Sequence, residues 1–92
     1  MDKEVKEIFC ITQEECAEVT QAISKVFRFG MDTSWNGRTN KQRLEEELGD
    51  LKAMLYILEM SGIVNEENVL KASESKMEKL SKWSNINLSK DK

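Results

Sequence analysis

The chain has no proline and only four glycines in its 92 residues. Proline is the residue that most reliably ends a helix, because it lacks an N–H and clashes with the preceding turn. Without it, and with much Glu, Lys and Leu, long helices are the economical outcome. Apolar residues do recur at helical spacing in three stretches. The first is predicted from Lys3 to Phe29 and stops at Gly30, a residue type that follows helix ends. The second starts near Asn40, an N-capping residue type, and stops at Gly62. The third begins after Asn65, with Glu66 and Glu67 in its first turn where the helix dipole favours acids, and fades near Trp83. Met31 to Thr39 (MDTSWNGRT) reads as a loop. The polar tail Ser84 to Lys92 is expected to fray. No repeat or linker divides the chain, so the expectation is an all-α fold with three main helices, one domain over 1–83 and a tail over 84–92.

Composition removes several function classes. Lys and Arg number 14 against 17 Asp and Glu, a net charge of −3. A protein that grips nucleic-acid backbones needs clustered excess positive charge, so nucleic-acid binding is disfavoured. No apolar run is long enough to span a membrane, and the N-terminal MDKEVKEIF does not read as a signal peptide. Cys10 and Cys16 are separated by about 600° of helical rotation, so they do not bridge within one helix, and reduced thiols in a cytoplasm are expected. With neither a histidine nor a cysteine cluster, a zinc site is not expected, and without histidine a Ser–His or Cys–His nucleophile pair is excluded. Apolar residues make up only 39% of a short chain. Short chains bury little of their surface, so a second copy is expected to complete the core.

The helical pattern breaks its own rule at a few positions. On the first helix Ile8, Ile11, Val19, Ala22, Val26 and Phe29 share one side, and Glu15 falls near the middle of that arc with Glu18 at its edge. On the second, the arc of Leu44, Leu48, Leu51, Met54, Leu55, Ile57 and Leu58 encloses Glu47 and Asp50, while Glu45 and Glu46 point outward. On the third, Lys76 falls among Val69, Ala72, Leu80 and Trp83. A buried carboxylate costs several kcal/mol unless something compensates it. Four acids with oxygen donors only, and no His or Cys beside them, suit a hard cation such as Mg²⁺ or Mn²⁺. Spacing i,i+3 places each pair on one helix face, so two packed helices offer four carboxylates to one ion cluster. A single ExxE pair is usually a solvated surface feature; here the pattern occurs twice, each time in an apolar arc. Lys76 has an equally ordinary reading as a lysine laying its stem over apolar surface, and Trp35 and Trp83 as packing residues.

Glu14-Glu15-Cys16-Ala17-Glu18, followed after 28 residues by Glu47-Leu48-Gly49-Asp50-Leu51, resembles the EExxE…ExxD signature of the MazG-like all-α nucleoside triphosphate pyrophosphohydrolases. Lys71 to Leu80 (KASESKMEKL) resembles that family's last helix, with Ser73 where an Asn usually stands and Lys76 in the place of the Lys. The resemblance covers roughly residues 5–83. It implies Mg²⁺ held by Glu15, Glu18, Glu47 and Asp50, and cleavage of a nucleoside triphosphate between the α and β phosphates. It also implies a four-helix-bundle-like core built as a homo-dimer or homo-tetramer whose subunits contribute to each other's pockets. The cellular role it implies is removal of noncanonical or surplus nucleotides in a bacterial or phage-infected cell.

On that reading water attacks the α-phosphorus, and Glu14 or one of the four acids accepts its proton. Lys25, beyond Glu18 on the same side, is expected near the phosphates. Lys76 and Lys79 are further phosphate ligands suited to the pyrophosphate leaving group, and Arg38, Lys41 and Arg43 would cover the polyphosphate. No GxxxxGK[ST] is present, so the chain is no P-loop protein. Two other readings stand beside this one. A non-enzymatic helical module would self-associate and hold a structural cation, and an enzyme like the phosphoribosyl-ATP pyrophosphohydrolases would share the carboxylate site.

Overall fold

The structure is a computed structural model and describes residues 1–88. Three helices and one small hairpin follow in order: α1 (Lys3–Phe29), β1 (Ser34–Trp35), β2 (Arg38–Thr39), α2 (Asn40–Met60) and α3 (Glu66–Trp83). Asp2 caps α1, its Oδ1 accepting from the backbone N–H groups of Glu4 at 2.7 Å and Val5 at 3.3 Å. These are two of the donors that a helix start otherwise leaves without partners. Gly30 closes the helix at φ 92°, a region open to glycine at little cost. Asn65 caps α3 by accepting from the Asn68 N–H at 2.8 Å.

The start of α2 differs from the sequence expectation. Thr39, not Asn40, is the N-cap. Its Oγ1 accepts from the Gln42 N–H while the Gln42 side chain accepts from the Thr39 N–H, a reciprocal capping box. Asn40 is instead the first helical residue. It is buried, and its Nδ2 donates to the Gly30 carbonyl at 2.9 Å, so it ties the start of α2 to the end of α1. At its other end α2 stops at Met60, two residues before Gly62, which takes φ 76° in the following turn.

The loop expected over Met31 to Thr39 contains a hairpin. Ser34 pairs with Thr39 and Trp35 with Arg38 in antiparallel register. Asn36 and Gly37 form the two-residue connection, with φ 54° and 78°. Positive φ at both positions is what a twisted two-residue hairpin requires, and Asn-Gly is the pair that adopts it most readily. The backbone N–H groups of Asn40 and Lys41 donate to the carbonyls of Thr33 and Met31, which anchors the hairpin on the first turn of α2.

Helices α1 and α2 run antiparallel along one seam. Ile8 packs with Met54 and Leu58 at one end, and Ile63 and Val64 close over them from the turn after α2. Ala22 is buried further along α1. The third apolar arc does not join this core. In α3 Leu80 is half-buried, whereas Val69, Leu70, Met77 and Trp83 are exposed. Phe27 on α1 and Leu48, Leu55 and Tyr56 on α2 are exposed as well. The cause is geometric: two helices cover only one stripe of each other, and apolar arcs wider than that stripe need a further layer. The expected frayed tail falls partly on residues 89–92, outside those described; before them, Ser84 is half-buried and its Oγ donates to the Leu80 carbonyl at 2.7 Å.

Candidate functional site

Midway along the α1/α2 seam the apolar packing gives way to acids. Glu15 comes from α1, and Glu47 and Asp50 come from α2. Each offers a carboxylate oxygen, and the three oxygens lie within 4.8 Å of one another. Glu18, one turn along α1, meets Glu47 closely enough to share a hydrogen bond with it. The helix pairing therefore brings all four acids of the two motifs together. They are not equally enclosed: Glu15 and Glu47 are half-buried, while Glu18 and Asp50 are exposed. The exposure of Glu18 suits its expected place at the edge of the first arc, whereas that of Asp50 corrects the expectation that it lies inside the second. The seam between two helices has an open flank, and Glu18 and Asp50 stand on it.

The electrostatics are those of unneutralised like charge. Burial, then repulsion from Asp50, Glu18 and Glu14, pushes the Glu15 carboxyl above its ordinary value. Burial, then a hydrogen bond shared with Glu18 and repulsion from Glu18, Asp50 and Glu15, does the same to Glu47. The ion pairs among the described residues, Arg38–Glu46, Lys71–Glu67 and Lys82–Glu78, all lie elsewhere. The Oε2 of Glu15 is buried with no hydrogen-bond partner among the described residues. A buried acceptor without a donor costs free energy that native structures rarely leave uncompensated. An all-oxygen donor set converging on such an atom fits a hard divalent cation.

Beyond the acids the seam opens into two adjoining clefts. The smaller, about 140 Å³, is lined by Glu18, Gln21, Ala22, Lys25, Arg43 and Glu47. The larger, about 340 Å³, is lined by Lys25, Phe29, Thr33, Ser34, Trp35, Asn40 and Arg43. Lys25 and Arg43 line both. A groove thus runs from carboxylates, past two cations, to an aromatic end at the hairpin. Arg43 is held in place there. Its Nη2 donates to the Trp35 carbonyl at 2.8 Å, and its guanidinium lies over the Trp35 ring, 5.0 Å from the centroid.

The other residues singled out in the sequence are distributed as follows. Glu14 is exposed beside Glu15. Arg38, on β2, pairs with Glu46 and lines neither cleft. That pairing gives Glu46 a role in holding the hairpin on α2, where the sequence suggested only a solvated acid. Lys76 is exposed on α3, and Lys79 lines a depression of about 230 Å³ with Ser75, Glu78, Lys82 and Trp83. That depression is made of α3 residues alone, and neither cleft beside the acids includes a residue of α3. Within one chain the α3 lysines are therefore not brought to the acids. The sequence reading missed the part played by Phe29, Thr33, Ser34 and Asn40. The signal that finds it is Trp35-Asn36-Gly37-Arg38, whose Asn-Gly step marks a hairpin and turns Trp35 back beside α2.

Both cysteines are free and exposed. No helix among the described residues is long and apolar enough to cross a membrane. Neither the curated proteins nor the solved structures yield a match. The MazG nucleotide pyrophosphohydrolase domain family matches residues 3–85, and with most of its length accounted for in this way the chain belongs to that family.

Proposed function

We propose that the protein is a Mg²⁺-dependent nucleoside triphosphate pyrophosphohydrolase, with Mn²⁺ able to replace Mg²⁺. It cleaves a ribo- or deoxyribonucleoside triphosphate to the monophosphate and pyrophosphate. The observation that carries this reading is the convergence of Glu15, Glu47 and Asp50 around a buried, unpartnered Glu15 oxygen. Glu15, Glu18, Glu47 and Asp50 would hold the cation. When bound, it offsets the charge of the triphosphate and positions its phosphates.

The chain's own residues account for the remaining work. Water attacks the α-phosphorus, forming one P–O bond as the bond to the α–β bridging oxygen breaks. The proton of that water passes to Glu14 or to one of the four acids. Lys25 and Arg43, lining the groove beside Glu18 and Glu47, bind oxygens of the α-phosphate and stabilise the charge that develops there. Lys76 and Lys79 are assigned to the pyrophosphate leaving group of a site completed by another copy of the chain, whereas Arg38, engaged with Glu46, is given no phosphate role.

Assembly into a homo-dimer or homo-tetramer is part of this proposal. Its support is the unpaired α3 and the exposed Leu55, Tyr56, Leu70 and Trp83, since exposed apolar surface on this scale marks an interface. Work on the nucleotide pool, in the cytoplasm of a bacterial or phage-infected cell, is part of the same proposal and is supported by the family to which the chain belongs.

Glu18→Gln and Asp50→Asn test the assignment. Each is expected to lower Mg²⁺-dependent pyrophosphate release by at least about a hundredfold while the helical circular dichroism is kept. Full turnover by either variant removes that residue from the site. Absence of pyrophosphate release by the parent protein on every nucleotide offered would leave the non-enzymatic module as the better reading.

A further inference from the structure

We propose that the larger cleft is the nucleobase subsite, with Trp35 as its stacking platform, so that the enzyme accepts bases by their faces more than by their edges. This rests on the reading of the chain as a nucleoside triphosphate pyrophosphohydrolase and adds its substrate preference.

Position is the first argument. Lys25 and Arg43 belong to both clefts, so a triphosphate lying across them with its phosphates toward Glu18 and Glu47 directs its nucleoside end into the larger cleft. Chemistry is the second. Two aromatic side chains line that end, and both are open: Phe29 is 53% exposed and Trp35 is 65% exposed. A tryptophan on a tight hairpin, already holding Arg43 against its ring, presents further aromatic surface and little freedom to move. Any base can stack on such a surface, because every base has a π-face.

Base edges find less to read. Thr33 Oγ1 donates to the Phe29 carbonyl and Asn40 Nδ2 to the Gly30 carbonyl. Two of the polar side chains in the cleft have therefore committed donors to the backbone. Strong discrimination needs a polar group that a wrong base leaves unpaired, and stacking alone supplies no such penalty. The enzyme accepts all common bases, and purines exceed pyrimidines by a few-fold in kcat/KM because their larger rings stack over more surface.

The test uses the full chain carrying Trp83→Phe, which leaves Trp35 as the sole indole fluorophore. With Mg²⁺ present, α,β-methylene-dATP and α,β-methylene-dCTP are expected to quench its fluorescence, whereas inorganic tripolyphosphate, which has no base, is not. In steady-state assays of pyrophosphate release, Trp35→Ala is expected to raise KM for dATP and dCTP about tenfold or more with kcat changed less, and Trp35→Phe to restore most of the loss. Turnover by the parent protein with no quenching by either analogue, or with KM unchanged in Trp35→Ala, overturns the subsite and leaves the activity standing. Quenching by the analogues without turnover of any nucleotide supports the subsite and overturns the activity. Should Trp35→Ala fail to fold, the quenching and the Trp35→Phe kinetics decide.

Discussion

Glu15 on α1 and Asp50 on α2 bring carboxylate oxygens within 4.8 Å of each other across the helix seam, with Glu47 as the third member of the group. Two helices that packed for apolar burial alone would place Leu or Val at Glu15 and Glu47, the half-buried members. The acids are tolerated at a cost, and that cost makes stability depend on pH and on divalent ions.

The pH dependence has a definite sign. Glu15 and Glu47 hold protons more tightly when folded than when unfolded, because their carboxyls are raised by burial and by neighbouring acids. The folded state therefore binds more protons as pH moves through the range between the ordinary carboxylate value and the raised ones. Stability falls as pH rises through that window and stays lower above it. Without divalent ions, the contribution of this site is expected to make the protein melt higher near pH 5 than near pH 8. Thermal melts in a chelator, compared with the same melts of Glu15→Gln, check this; the variant is expected to show the flatter profile between those pH values.

Mg²⁺ should oppose that trend. A cation that binds the folded state stabilises by mass action, and it requires the acids ionised. Adding Mg²⁺ is expected to raise the melting temperature more at pH 8 than at pH 5. In Glu15→Gln the metal-free protein is expected to be at least as stable as the parent, and the gain on adding Mg²⁺ is expected to shrink. Differential scanning fluorimetry over a Mg²⁺ series measures both.

The hairpin has its own test. Gly37 takes φ 78°, and a Cβ built on it meets nothing within 4 Å, so the penalty for a side chain there is conformational and not steric crowding by neighbours. Gly37→Val is expected to cost about 1–2 kcal/mol, the order of the left-handed penalty for a side-chain-bearing residue. Chemical denaturation gives the value. A loss that small with KM for a nucleotide raised separates the hairpin's part in the cleft from its part in folding.

The capping box predicts a further loss. Thr39→Ala removes the Oγ1 acceptor for the Gln42 N–H, and such caps contribute about 1 kcal/mol. Asn40→Asp keeps the size of a buried side chain but replaces the Nδ2 donor to Gly30 with a carboxylate, so it is expected to cost at least as much. Denaturant midpoints of the two variants test the assignment of Thr39, and not Asn40, as the cap.

Much of this organisation is legible in the residues. The spacing of Ile8, Glu15, Val19 and Ala22, and of Glu47, Asp50, Met54 and Leu58, follows the helix period, and that period alone places the acids on facing surfaces. The end of α1 and the start of α3 follow from Gly30 and Asn65, residue types that suit helix ends, whereas the cap supplied by Asp2 emerges only in the structure. The hairpin escaped because its strands are two residues each, too short for alternation to show, and only the Asn36–Gly37 turn betrays them. The degree to which Asp50 is exposed was not legible either. Helical periodicity gives a direction around the axis, but the width of a packed stripe depends on how many neighbours cover it, and here one helix covers each.

Mn²⁺ binding, followed by electron paramagnetic resonance of the free ion, tests most directly whether the acids of α1 and α2 form a cation site. The parent protein is expected to remove Mn²⁺ from solution, with Mg²⁺ competing for the same site, and Glu15→Gln combined with Asp50→Asn is expected to weaken that uptake at least about tenfold at unchanged helix content. Equal uptake by parent and double variant would contradict the account.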